Sequence, residues 1–94
     1  MHNGKFRVKI FCSPNRNRPI YNKYRPAFDI ISWTFSSGQI ELETDFIKPG
    51  ESQIGYISFV APELFLENFR YDTKYFFYED PKGPFEGYII FMQE

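Results

Sequence analysis

The fold is constrained most by a two-residue alternation of apolar and polar side chains in short segments rich in aromatic and β-branched residues. The clearest case is KFRVKIFC at residues 5–12. Because successive side chains of a strand point to opposite faces, this segment has one apolar face and one basic face. The basic face carries Lys5, Arg7 and Lys9. The pattern predicts a half-buried strand with a basic outer stripe.

Five further segments have the composition of strands. Each is rich in aromatic and β-branched residues, and they span residues 28–35, 39–43, 53–60, 71–79 and 85–92. Proline and glycine predict turns at 36–38, 48–51 and 80–84. Only residues 62–69 have the pattern of a helical turn. Six short strands predict an all-β barrel or sandwich, and a barrel has the advantage that closure removes exposed strand edges.

Length and composition fit one small domain. A chain of 94 residues can form a single core, so we expect one domain over residues 1–94. Cys12 is the only cysteine, which excludes an intrachain disulfide and a zinc site built from thiolates. No apolar run approaches the roughly 20 residues of a membrane span. The start of the chain also lacks the apolar stretch of a secretory signal. We therefore expect a cytoplasmic protein with no membrane partner.

Charge is divided unevenly along the chain. All 12 acidic residues follow residue 28, whereas most of the 11 lysines and arginines precede it. The basic part includes RNRPIYNKYRPAF at residues 16–28. Such asymmetry points to an anionic partner. Arg16, Arg18 and Lys23 are candidates for contact with an RNA backbone, since their side chains can pair with phosphates. The alternative interpretation is an ordinary solvated basic loop.

The same segment resembles the opening of the third domain of translation elongation factor Tu. In that family an arginine, a proline-aromatic pair and Tyr-Arg-Pro-x-Phe connect the first two strands of a small barrel. The matching positions here are Arg16, Pro19, Ile20, Tyr24, Arg25, Pro26 and Phe28. SGQIEL at 37–42 and KPGE at 48–51 resemble two further family motifs in the same order. The resemblance implies a six-stranded antiparallel β-barrel of Greek-key type over nearly the whole chain, without the GTP-binding domain.

The resemblance also bears on ligands. In the family this connection helps to hold the T-stem of aminoacyl-tRNA, and Arg16 occupies the position of an arginine that faces the tRNA. Asn17 stands where the family has histidine, and Ala27 stands where it has glutamine. Asp80-Pro81 replaces a glycine pair near the last hairpin. The residues that define the fold are kept while several tRNA-facing positions differ, so the resemblance favours the fold over tRNA binding.

The last two predicted strands are apolar on both faces. In YFFY at 75–78 and YIIFM at 88–92, alternation places one row of large side chains outside the barrel. The outer row consists of Phe76, Tyr78, Tyr88, Ile90 and Met92. Burying one such side chain is typically worth about 1.5 to 3 kcal/mol, so an exposed row favours association. We interpret it as a surface for a protein partner. The alternatives are self-association, or cover by residues 62–69 and the chain ends.

The residue pattern does not favour catalysis. His2 is the only histidine and lies at a chain end that is expected to fray. Cys12 falls on the inward face and is expected to be a small core residue. Glu41 and Glu43 share a strand face, but no histidine or third carboxylate is expected beside them. We therefore predict no catalytic residue, no cofactor and no metal site.

Three functional interpretations follow. The first is a non-enzymatic β-barrel module that binds a protein, with the translation machinery as the source of partners that the resemblance suggests. The second is RNA or tRNA backbone binding through the basic loop at residues 16–25. The third is a structural domain with no ligand of its own. Fold alone does not choose among them.

Overall fold

The computed structural model describes residues 5–31, 34–60 and 70–93, and this part of the chain contains strands and no helix. The strands are β1 (Lys5–Cys12), β2 (Ile20–Tyr21), β3 (Ala27–Ile31), β4 (Thr34–Leu42), β5 (Phe46–Ile47), β6 (Ser52–Phe59), β7 (Tyr75–Tyr78) and β8 (Gly87–Phe91). Six of them close into an antiparallel barrel in the order β1-β6-β4-β3-β7-β8. The short strands β2 and β5 pair separately. The prediction of a small all-β barrel is confirmed.

Strand β1 closes the barrel because it pairs along both of its edges. On one side its partner is β6, in a register that runs from Lys5↔Ser58 to Phe11↔Ser52. On the other side its partner is β8, with Ile10 opposite Ile89. Both pairings are antiparallel, so the backbone N–H and C=O groups on both edges of β1 find partners. The last strand of the chain thus lies beside the first.

The core fills the interior of the barrel with the inward row of each strand. The buried apolar residues are Phe6, Val8, Ile10, Cys12, Ile20, Phe28, Ile30, Ile40, Ile47, Ile57, Phe59, Phe77, Ile89 and Phe91. Phe28 lies at the centre of the aromatic part, with its ring centroid 5.4 Å from both Phe59 and Phe77. Edge-to-face and tilted pairs of this kind add to the free energy of apolar burial. On the outside of β1, the predicted basic stripe is present.

One predicted turn is wrong. Residues 36–38 have turn chemistry, but they lie inside β4, where Ser36 pairs with Phe28 and Gly38 pairs with Phe59. Pairing on both edges of β4 outweighs the local preference of the Ser-Ser-Gly sequence. The strand candidate 28–35 therefore overlaps both β3 and the start of β4, and the candidate 39–43 overlaps the end of β4. The predicted helical turn at 62–69 lies outside the described residues.

Two other predicted turns are confirmed. At residues 48–51, the Glu51 N–H donates to the Lys48 carbonyl at 3.0 Å, and Gly50 has a φ of 85°. This left-handed conformation costs glycine little because it has no Cβ. At residues 80–84, the Gly83 N–H donates to the Asp80 carbonyl at 2.8 Å and the turn joins β7 to β8. The turn at 80–84 ends the β7–β8 hairpin, and the turn at 48–51 leads from β5 into β6.

Replacing Gly87 tests the close packing of β8 on β1. A Cβ on Gly87 would lie 2.6 Å from Cζ of Phe77 and against the carbonyl of Phe11. We expect Gly87→Ala to lower the free energy of unfolding by about 1 to 3 kcal/mol, the range of overpacked cores. Urea denaturation followed by fluorescence measures the change.

The matched control is Gly83→Ala in the β7–β8 turn, where a Cβ would meet its nearest atom at 3.5 Å. This variant should stay within about 0.5 kcal/mol of the parent protein. Equal effects of the two substitutions would contradict the described packing.

Candidate functional site

The connection that follows β1 is fastened to the β7–β8 hairpin. The Ser13 N–H donates to the Glu86 carbonyl at 3.0 Å, and the Arg16 N–H donates to the Ser13 carbonyl at 3.2 Å. The Ser13 hydroxyl in turn accepts a hydrogen bond from the Asn15 N–H. These bonds bring Arg16 next to two carboxylates that are distant in sequence.

The guanidinium of Arg16 is the centre of a network of charged and polar groups. Its Nη1 lies 2.6 Å from Oε1 of Glu86 and 3.1 Å from Oε2 of Glu79. Its Nε donates to the Arg18 carbonyl at 2.9 Å, and its carbon Cζ lies 4.9 Å from the centroid of the Tyr24 ring. The side chain is only 5% exposed. We call Arg16, Arg18, Tyr24, Glu79 and Glu86 the Arg16 network.

Protonation in the Arg16 network follows from burial and hydrogen bonding. Burial opposes ionisation of Glu79, but hydrogen bonds from Tyr24, Arg16 and Arg18 outweigh it and lower the pKa of the carboxyl group. Burial and the hydrogen bond to Glu79 raise the pKa of Tyr24, so its hydroxyl stays a donor, at 2.9 Å from Oε2 of Glu79. Burial alone would lower the pKa of Arg16, yet its partners raise it. The network therefore consists of two arginines and two glutamates in three ion pairs, with the Tyr24 hydroxyl as a further hydrogen-bond donor.

The structure does not bring the three predicted RNA contacts together. Arg16 points into the network, away from solvent. Arg18 is 63% exposed, but its guanidinium lies 3.2 Å from Glu79. Lys23 is also exposed, but it lies beside β4, where its backbone N–H donates to the Ile40 carbonyl. Sequence reasoning missed Glu86 as a partner of Arg16, because the two residues are 70 positions apart.

The five predicted contacts on β7, β8 and the residue after β8 occupy the outer face of the barrel. Their neighbours Phe77, Ile89 and Phe91 are buried, whereas the five themselves are half-buried. The five are Phe76, Tyr78, Tyr88, Ile90 and Met92. Tyr78 packs on Phe35, with ring centroids 5.5 Å apart. The alternation expected from the sequence is thus present, and it leaves this row at the surface.

Two of these residues join an aromatic cluster that reaches onto β1. Tyr88 stacks on Phe11 with a centroid distance of 4.4 Å and an interplanar angle of 22°. Phe76 lies 5.5 Å from Tyr88 and 4.8 Å from Phe85. We call Phe11, Phe76, Phe85 and Tyr88 the aromatic cluster. Sequence reasoning did not single out Phe11 or Phe85, although Phe11 lies on the same outward face of β1 as the basic stripe.

A cleft and two lysines adjoin the aromatic cluster. The cleft has a volume of about 330 Å³, and Phe11, Phe85 and Tyr88 form its apolar walls. Lys9 Nζ lies 5.2 Å from the centroid of Phe11, and Lys74 Nζ lies 4.8 Å from that of Tyr88. Over residues 5–31, 34–60 and 70–93, no cluster of three potential metal ligands occurs. The arrangement is suited to holding an apolar group beside positive charge.

Removing the guanidinium of Arg16 tests whether the Arg16 network is structural. Arg16→Ala leaves Glu79 and Glu86 without their shared cation, so we expect the free energy of unfolding to fall by about 2 to 3 kcal/mol. Denaturant titration measures this loss. The control is Arg25→Ala, because Arg25 is exposed in the same segment and, among the residues that the structure describes, its side chain donates to Gln39 alone. A loss no larger than that of the control would contradict a structural role.

The network also predicts a dependence of stability on pH. The pKa of Glu79 in the folded protein lies below its ordinary value of 4.5, so its stabilising effect is present above that value. The effect is lost as the pH falls through the folded pKa. Denaturation from about pH 7 to about pH 3 should show a steeper loss for the parent protein than for Glu79→Gln. Parallel curves for the two proteins would rule out this contribution.

No protein-family model matches the sequence, and neither does any curated protein. The likeness of residues 16–28 to the third domain of elongation factor Tu therefore stays a sequence-based prediction. Support for a function comes from the geometry of the Arg16 network and of the aromatic cluster.

Proposed function

We propose that this chain is a non-enzymatic β-barrel binding module that contacts a protein partner through the outer face of β7 and β8. The observation that carries the proposal is the aromatic cluster. The core of the closed barrel is filled by the inward row, so the outer aromatic residues are not needed to fill it. Instead, they pack on one another at the surface.

Aromatic clusters of this kind suit protein recognition. Tyrosine and phenylalanine are enriched in protein interfaces, where they supply large contact areas at low conformational cost. Single exposed apolar side chains are ordinary, whereas contiguous ones mark interaction surfaces. Phe85 is 41% exposed and touches the half-buried Phe76. The resemblance to elongation factor Tu makes the translation machinery the first place to look for the partner.

Binding of RNA through Arg16, Arg18 and Lys23 has less support. Arg16 and Arg18 share Glu79, so their charge is partly neutralised where an RNA phosphate would have to approach. Lys23 lies beside β4, on the side of the barrel opposite β8. A titration with tRNA at two salt concentrations tests the alternative, since phosphate contacts weaken steeply as salt rises. Salt-sensitive binding that depends on Arg18 and Lys23 would favour it.

Site-specific cross-linking tests the proposed surface. A photoreactive phenylalanine analogue at Phe76 should cross-link to a defined protein in cells, because Phe76 lies within the aromatic cluster. The same analogue at Tyr56 is the matched control, since Tyr56 is an aromatic residue of β6 that is 41% exposed outside the cluster. Gel electrophoresis and mass spectrometry identify the products.

The proposal predicts a product at Phe76 that is absent at Tyr56. Equal products at the two positions, or none at Phe76, would contradict it. A product that contains two copies of this chain would instead indicate that the surface mediates self-association. Sedimentation analysis of the purified protein would then have to show that association.

A further inference from the structure

The cleft beside the aromatic cluster has a shape and neighbouring charges that favour one class of peptide segment. We propose that it binds an acidic peptide segment, with an apolar side chain in the cleft and carboxylates beside Lys9 and Lys74. The inference rests on the proposed function, because it names the chemistry of the segment that the partner would present.

The shape of the cleft suits one apolar side chain. Its volume of about 330 Å³ lies at the small end of ligand pockets. Rings of Phe11, Phe85 and Tyr88 form its walls, and Pro14 adds a further apolar surface from the connection after β1. Gly50, in the turn before β6, also borders the cleft. The cleft therefore offers apolar contact on several sides and opens to the outer face of the barrel.

Two lysines lie against the aromatic residues that form the walls of the cleft. Lys9 and Lys74 lie over the rings of Phe11 and Tyr88, and neither forms an ion pair with any other described residue. The carboxylates of Glu79 and Glu86 at the nearby hairpin are already paired with Arg16. Asp72 borders a neighbouring recess with Lys9 but does not reach ion-pair distance. Two cations are thus left to meet carboxylates of a partner.

The same geometry favours a peptide over single-stranded nucleic acid. Nucleic acid binders of this type stack bases on free aromatic faces. Here Phe11 and Tyr88 cover each other, and a lysine ammonium lies over each ring. Little ring face is left for a base, whereas a side chain can still enter the cleft between Phe85 and the stacked pair.

Fluorescence anisotropy with designed probes tests the inference. The main probe is a short fluorescein-labelled peptide in which glutamate alternates with leucine. Three matched probes replace glutamate by lysine, replace leucine by serine, or use oligouridylate instead of peptide. We expect the glutamate–leucine peptide to bind at least about tenfold more tightly than each of the others, because it alone satisfies both the cleft and the lysines.

Charge reversal then locates the binding. The double variant Lys9→Glu/Lys74→Glu should lose about tenfold or more in affinity for the glutamate–leucine peptide. Phe85→Ala, at an exposed residue of the connection before β8, should also weaken it. The control is Lys23→Glu, because Lys23 lies across the barrel from β8 and its substitution should leave the affinity unchanged.

Several results would overturn the inference. These are equal binding of the lysine–leucine or glutamate–serine peptide, tighter binding of oligouridylate, no binding of the main probe, or unchanged affinity in the double variant. Cross-linking at Phe76 separates this failure from that of the proposed function. If Phe76 gives a defined product but the acidic peptide is not preferred, the proposed protein-binding function stands and only the acidic nature of the bound segment is ruled out.

Discussion

The pairing of β1 with both β6 and β8 is the interaction on which the rest of the structure depends. It converts a row of strands into a closed barrel and gives the backbone on both edges of β1 its hydrogen-bond partners. Closure also divides the aromatic residues into two populations. Phe77 and Phe91 belong to the core, while Phe76 and Tyr88 are left outside it. A surface rich in aromatic side chains is therefore a consequence of closure in a chain whose last strands are apolar on both faces.

The Arg16 network adds a second, polar constraint at one end of the barrel. It ties the connection after β1 to the hairpin between β7 and β8, the same hairpin that carries Phe85. A nearly buried guanidinium is stable there because two carboxylates, a phenol and backbone carbonyls satisfy it. Part of the positive charge in the first third of the chain, that of Arg16, is thus paired with carboxylates inside the fold. Lys9 of β1 and Lys74 contribute the positive charge beside the aromatic cluster.

Much of the fold was predictable from local patterns, and the site was predictable only in part. The strand at residues 5–12 and the turn at 48–51 follow from alternation and from glycine and proline. The turn expected at 36–38 fails because pairing on both sides of β4 overrides local preference. The role of Arg16 depends on carboxylates more than 60 positions away, which no local pattern reveals. Phe11 joins the aromatic cluster only because β8 pairs beside β1.

The proposed binding surface therefore depends first on whether β1 and β8 are neighbours in solution. The most direct measurement is the set of nuclear Overhauser effects between backbone protons of the two strands. Closure of the barrel predicts cross-strand contacts between Lys9 and Ile90 and between Ile10 and Ile89, together with slow amide exchange on both edges of β1. Contacts of β1 with β6 alone, with rapid exchange along the β8 edge, would show an open sheet and contradict it.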